Sequence, residues 1–133
     1  MAKSKVFLDA NVLFAMANSP AGFASRLLLA DNLSLISSDY AFQEAAENLA
    51  AFNSEALAEL GKLEANVIIT DRIAPLPFWV SLDGEDRQIL AAAIGAECDY
   101  LISYDRDFDS LFDKTISNVE VIHATKFIRR FKV

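Results

Sequence analysis

The stretch "KVFLDANVLFAMA", residues 5–17, sets Asp9 and Asn11 two positions apart inside an otherwise almost wholly apolar run. An apolar segment of this kind is normally destined for the core, where an uncompensated carboxylate is costly. The segment "KVFLD" reads as a strand that stops at Asp9. Four further short apolar runs share its character: "LSLIS" near 33–37, "NVIIT" near 66–70, "YLISY" near 100–104 and "VEVIH" near 119–123. Segments of helical period separate them. Ser19-Pro20 opens an expected helix "PAGFASRLLLAD", as a cap followed by proline at the first helical position. Ser38 or Asp39 caps "YAFQEAAENLAAF", whose Phe42, Ala45, Ala46 and Leu49 make one apolar face. A helix is expected over roughly 54–63, another after Asp83-Gly84 in "EDRQILAAAIGAE", and shorter ones after Asp105 and Thr125.

Strands alternating with helices predict a doubly wound α/β/α sandwich around a parallel five-stranded sheet. A chain of 133 residues, 53% hydrophobic, has the size and core of one domain spanning 1–133. The single Cys98 forms no internal disulfide, and with His123 as the only histidine no zinc spacing exists. A reducing, cytoplasmic location is expected. Asp9 cuts the early apolar run too soon for a signal peptide, and no run has membrane-helix length, so no membrane partner is expected.

The formal net charge of −7 disfavours non-specific attraction to nucleic acid, so such a function needs bound cations or a local basic patch. Lys126, Arg129, Arg130 and Lys132 gather at the end. They either complement the last helix's C-terminus or form a phosphate-contacting rim or partner surface. The proline-bearing "APLPFWVSLDG" reads as a covering loop, with Trp79 exposed.

Ligands of doubly wound folds bind beyond the carboxyl ends of the strands, where strand order reverses. Asp9 ends the first expected strand and Asp105 follows the fourth; an order of 3-2-1-4-5 makes those strands neighbours. Asp86 lies near the centre of the stripe formed by Ile89, Leu90, Ala93 and Ile94, so it points inward or complements its helix N-terminus. For Glu44 and Glu47, both off their helix's apolar stripe, periodicity favours solvated positions. Several carboxylates at one crevice repel one another, and without histidine, cysteine or a placed lysine, hard cations such as Mg²⁺ or Mn²⁺ are the natural counterions. Two such ions would suit phosphodiester hydrolysis.

These segments resemble a PIN-domain protein, in particular the small single-domain toxin components of toxin–antitoxin systems. "VFLDANVLF" is similar to the family's opening strand, "QEAAENL" to the helix that supplies its glutamate, and "EDRQILAAAIGAECDYLISYDRDF" to its most recognisable block. The resemblance implies the PIN-like order 3-2-1-4-5. It also implies Asp9, Glu44, Asp86 and Asp105 as catalytic residues and ligands of Mg²⁺ or Mn²⁺, with Glu44 preferred over Glu47. Asn11 and Ser103 would support them. Ser103 keeps the hydroxyl of the family's usual threonine, whereas Tyr104 replaces a usual glycine and would narrow the mouth of the site. Asp107 and Asp109 are weaker candidates, read first as a solvated helix start; Arg87 and Arg106 are candidate phosphate contacts. His123 is expected to be structural and remote from the acids.

The resemblance implies a metal-dependent endoribonuclease with an RNA substrate, a homodimer and an antitoxin partner. The alternative is a catalytically inactive PIN-like scaffold binding RNA or a protein. Phosphoaspartyl enzymes fit less well: Asn11 stands where a haloacid-dehalogenase-like pattern needs a second aspartate, and "LDAN" with "HATK" does not make a response-regulator arrangement.

Overall fold

The computed structural model describes residues 3–133. The opening run divides in two at Asp9. Strand β1, Ser4–Leu8, is followed directly by helix α1, Ala10–Asn18, with Asp9 as its N-cap. Val6, Phe7 and Leu8 are wholly buried, as Val12 and Leu13 are on the helix. A strand and a buried helix thus run together as one apolar segment, which is why periodicity alone does not reveal α1.

Strand β2, Leu33–Ser38, leads into α2, Asp39–Phe52, where Ser38 Oγ accepts a hydrogen bond from Ala41 N at 3.2 Å. A 3-10 turn at Ser54–Ala56 and α3, Leu57–Leu63, connect to the short β3, Ile68–Thr70. After the loop come α4, Gly84–Gly95, and β4, Tyr100–Ser103. The chain ends with β5, Lys114–Ile116, β6, Val119–His123, and α5, Ala124–Arg130.

The sheet order is β3-β2-β1-β4-β6-β5. The five expected strands appear in the expected order and are mutually parallel. The sixth, β5, was not expected; it pairs antiparallel with β6 at the sheet edge. Its two-residue connection, Ser117-Asn118, has positive φ at both positions (48° and 72°), as type I′ hairpin turns require. Ser-Asn is a weak form of that signal, and three residues give little alternation to detect.

The helix expected over 20–31 is replaced by a tight turn and a 3-10 helix, Ala24–Leu29. Gly22 N donates to Ser19 O at 2.8 Å, and the buried Ser25 hydroxyl lies 3.0 Å from Met16 O and 2.9 Å from Ser19 O, pinning the segment against the end of α1. Ala24, Ser25 and Leu27 are buried while Leu29 is 80% exposed.

Helix α1 packs on α2 and α3, whereas α4 packs on β2 and β4. Right-handed crossovers explain the split: the chain moves outward from β1 to β3 with its helices on one face, then returns to β4 with α4 on the other. Helices α1, α2 and α4 consequently start at the carboxyl edge of the sheet. Among the described residues, no helix is long and apolar enough to cross a membrane, and no buried polar side-chain atom lacks a hydrogen-bond partner.

Gly61 lies inside α3 with nothing within 4 Å of an added Cβ. Gly61→Ala is expected to stabilise the protein by about 0.5–1 kcal/mol, through a smaller loss of backbone entropy on folding. Urea denaturation of the two proteins checks this.

Candidate functional site

Beyond the carboxyl ends of β1 and β4, a few short-range hydrogen bonds fix the polar residues. Asp9 is 4% exposed. Its Oδ1 accepts from Ala10 N at 2.7 Å and its Oδ2 from the Ser103 hydroxyl at 2.6 Å. Ser103, fully buried at the end of β4, also accepts from Asn11 Nδ2 at 3.2 Å and from Asp105 N at 2.9 Å. Asn11 Oδ1 in turn accepts from Tyr104 N at 3.0 Å. Asp9 therefore ends a strand, starts a helix and is oriented from the neighbouring strand.

Asp105 caps a 3-10 turn, Arg106–Phe108, by accepting from Asp107 N at 2.9 Å. That turn brings Asp107 back towards α4. Asp86, Asp105 and Asp107 each offer a carboxylate oxygen within 4.8 Å of the others. Asp107, first read as a solvated helix start, thus belongs to the tightest acidic group, while Asp109 is exposed and lies outside it. Asp9 and Glu44 flank the group at longer range. Glu44 on α2 is half-buried where Glu47 is exposed, and Glu85 lies close enough to raise its pKa. Glu85 was not singled out from the sequence: it stands off the apolar stripe of α4, and only the approach of α2 brings it into play. Burial and then the nearby Glu85 push the Tyr40 phenol pKa up.

The charges are poorly compensated. Burial pushes the Asp9 carboxyl up to about 6, with Asp105 and Glu85 adding to it and the bonds from Ser103 and Ala10 opposing. Partial burial, then Asp105, Asp107 and Asp9, push Asp86 up to about 7. Burial, then Glu85, push Glu44 up to about 8. Among the described residues the ion pairs are Lys62–Glu59, Lys126–Asp113 and Arg130–Glu120, none of which touches these acids. Arg87 and Arg106 are exposed beside the acids without pairing to them. Lys126 and Arg130 of the basic tail are occupied elsewhere.

His123 caps α5, its Nδ1 accepting from Thr125 N at 3.2 Å. It stands opposite Ser103 in the sheet, closer to the site than expected, with its ring edge-on to Tyr104 and Phe112. Tyr104 is turned towards His123.

The acidic group offers carboxylate oxygens, and among the described residues no ammonium or guanidinium pairs with it. That donor set fits a hard divalent cation.

Asp9, Glu44 and Asp86 bind their protons more tightly folded than unfolded, so between about pH 4 and about pH 8 the folded state holds more protons. Metal-free stability is therefore expected to fall as pH rises through that window, and melting in EDTA across it checks the sign. Ser103→Ala strips the buried Asp9 oxygen of its donor and is expected to cost about 1–3 kcal/mol, measurable by urea unfolding.

Residues 5–107 match the PIN domain family model. No curated protein matches the chain by sequence. Among solved structures, a chain of VapBC2 from Rickettsia felis bound to a DNA fragment from its promoter superposes with a TM-score of 0.65 at 17% identity, over 90% of this chain and 98% of that one. VapC20 from Mycobacterium tuberculosis, a sarcin–ricin loop cleaving toxin, gives 0.61 at 16% identity, over 79% of this chain and 93% of that one. VapBC-1 from nontypeable Haemophilus influenzae gives 0.59 at 16% identity, over 91% and 98%. At these identities the superpositions speak for the fold. The family match covers most of the chain, and the chain belongs to the PIN domain family.

Proposed function

We propose that this single domain is a divalent-metal-dependent endoribonuclease of the toxin type, acting in the cytoplasm. One observation carries the proposal: Asp86, Asp105 and Asp107 present oxygens within 4.8 Å of one another with no side-chain cation to neutralise them. Asp9 and Glu44 complete the acidic wall. Asp9, Glu44, Asp86 and Asp105 are the proposed ligands and catalytic residues, and Asp107 joins them. Mg²⁺ or Mn²⁺ held there would supply Lewis acidity at the scissile phosphate and lower the pKa of a bound water.

The chain's own contribution is placement. Ser103 and Ala10 N fix both oxygens of Asp9 before any cation arrives, and Asn11 holds Ser103 and the backbone of Tyr104 in register. Such orientation of a ligand by its neighbours commonly matters nearly as much as the ligand itself. Arg87 and Arg106, which follow Asp86 and Asp105 directly in the chain, are the proposed phosphate contacts. No histidine is assigned to proton transfer, since His123 is engaged as a helix cap.

The likeness to a toxin named for sarcin–ricin loop cleavage supports RNA as the substrate, and the likeness to VapBC chains supports an antitoxin partner. Exposed apolar side chains, among them Leu29, Phe52, Phe78 and Trp79, support a homodimer or partner surface.

The test is thermal unfolding in EDTA and then in millimolar Mn²⁺ or Mg²⁺, paired with RNA cleavage, for the wild type and Asp9→Asn. Binding to the native state raises the wild-type midpoint by several degrees. Asp9→Asn keeps the helix-cap oxygen, so it is expected to fold, to melt higher than wild type in EDTA at neutral pH, to lose most of the metal response, and to cleave at least about a hundredfold more slowly. No metal response and no cleavage in the wild type would overturn the proposal in favour of a scaffold.

A further inference from the structure

Next to the acids, on the far side of the first turn of α4, lies a cavity of about 460 Å³. It opens beyond the ends of β2 and β3, between the start of α2, the 70–76 loop and α4. The volume falls within the range of small-ligand sites. Ile73, Pro75, Leu76 and Ala91 supply apolar lining, and Arg72 and Arg87 line the same space, with Arg87 Nη1 also donating to Leu82 O at 3.5 Å. Among the described residues neither guanidinium lies within 4.0 Å of a carboxylate, although Asp39 and Asp71 also line the space. In a chain of net charge −7, this lining balances two cations against two anions.

The cavity walls are tied together without a ligand. Ala74 N donates to Ala91 O at 3.0 Å, fastening the loop to α4. At the other end of that contact Gly95 lets the backbones touch, since an added Cβ would stand 2.8 Å from Arg72 C and Ile73 Cα. Tyr40 joins the cavity to the acidic site: it lines the former, while burial and the nearby carboxylates of Glu85, Glu44 and Asp86 push its phenol pKa up. Arg87 likewise follows Asp86 directly, its side chain turned about 100° around the helix.

We propose that this cavity is a nucleotide subsite of the ribonuclease, taking one unstacked nucleotide beside the cleaved phosphodiester. The base lies against the Ile73–Leu76–Ala91 wall, and Arg72 and Arg87 meet the adjoining phosphate. Stacking of a base on an aromatic ring and guanidinium contact with phosphate are means by which single-stranded nucleic acid is held, and Tyr40, Arg72 and Arg87 bring both to this lining. The assignment rests on the nuclease reading for its substrate, but its binding test does not require metal or catalysis.

The experiment titrates AMP, GMP, CMP and UMP into the full chain in EDTA, followed by amide chemical shifts. At least one nucleotide is expected to bind in the millimolar range, moving Thr70–Leu76 and Ala91, and to bind about tenfold more weakly in Arg72→Ala and in Ala91→Phe, which fills the cavity. Asp9→Asn is expected to bind it as the wild type does. In cleavage, Ala91→Phe raises KM about tenfold while kcat changes by less than about threefold. Arg72→Ala, at an exposed position, keeps the test decisive if Ala91→Phe does not fold. Three outcomes overturn the subsite: no shifts from any nucleotide, shifts equally produced by inorganic phosphate, or binding unchanged in Arg72→Ala. A catalytically inactive wild type that still binds nucleotides here would overturn the nuclease reading and leave the cavity assignment standing.

Discussion

The Ser103 hydroxyl is the point on which the acidic edge is built. It donates to Asp9 at the end of β1 while accepting from Asn11 in α1 and from the backbone of Asp105 beyond β4. One neutral group thus fixes the spacing of two strands' carboxylates and the entry to the turn that carries Asp107. A lysine or arginine there would neutralise the acids more effectively, yet it would also occupy the space a cation needs. A hydroxyl orients without neutralising, and so leaves the acids with their charge.

That choice has an energetic consequence. Asp9 is almost fully buried with two hydrogen bonds but no opposite charge, and its pKa of about 6 records burial outweighing those bonds. Relative to its ordinary value of 3.8, ionising it in the folded state costs about 3 kcal/mol more. The surrounding apolar packing offsets this: Phe7, Leu8, Val12, Leu13, Leu101 and Ile102 are wholly buried around the same strand ends. Two flanks of the site thus act in opposite senses, a dense core holding a polar edge that does not favour its own charged state.

How much of this was legible in the sequence depended on what each signal measures. Strand order was legible because parallel, buried strands are continuous apolar runs, and because the alternation with helices leaves few topologies. Helix α1 was hidden by the same continuity, since a fully apolar strand and a largely buried helix share one hydropathy. Strand β5 was hidden by its length and by a Ser117-Asn118 turn whose geometry, not composition, makes the hairpin. At the site, Asp9, Asp86 and Asp105 stood out because each interrupts an apolar pattern. Asp107 and Glu85 interrupt nothing. Their positions follow from a 3-10 turn and from the approach of α2 to α4, both tertiary facts. Glu44 was chosen over Glu47 by resemblance, and the difference in their burial supplies the physical distinction that periodicity lacked.

The chain's charge then has a simple reading. Seven excess negative charges repel a polyanion at long range, and the basic tail does little to offset them, since Lys126 and Arg130 are paired with Asp113 and Glu120. Arg72 and Arg87 instead line the cavity beside α4, and Arg106 directly follows Asp105 in the chain. Under the proposed nuclease reading, phosphate contact through these three side chains would be confined to a few groups near the acids. Binding of that kind gains little from counterion release and must draw its selectivity from shape and from whatever cation the acids hold. Under the proposed nuclease reading, this favours recognition of one exposed nucleotide in a particular fold of RNA over tracking along a continuous strand.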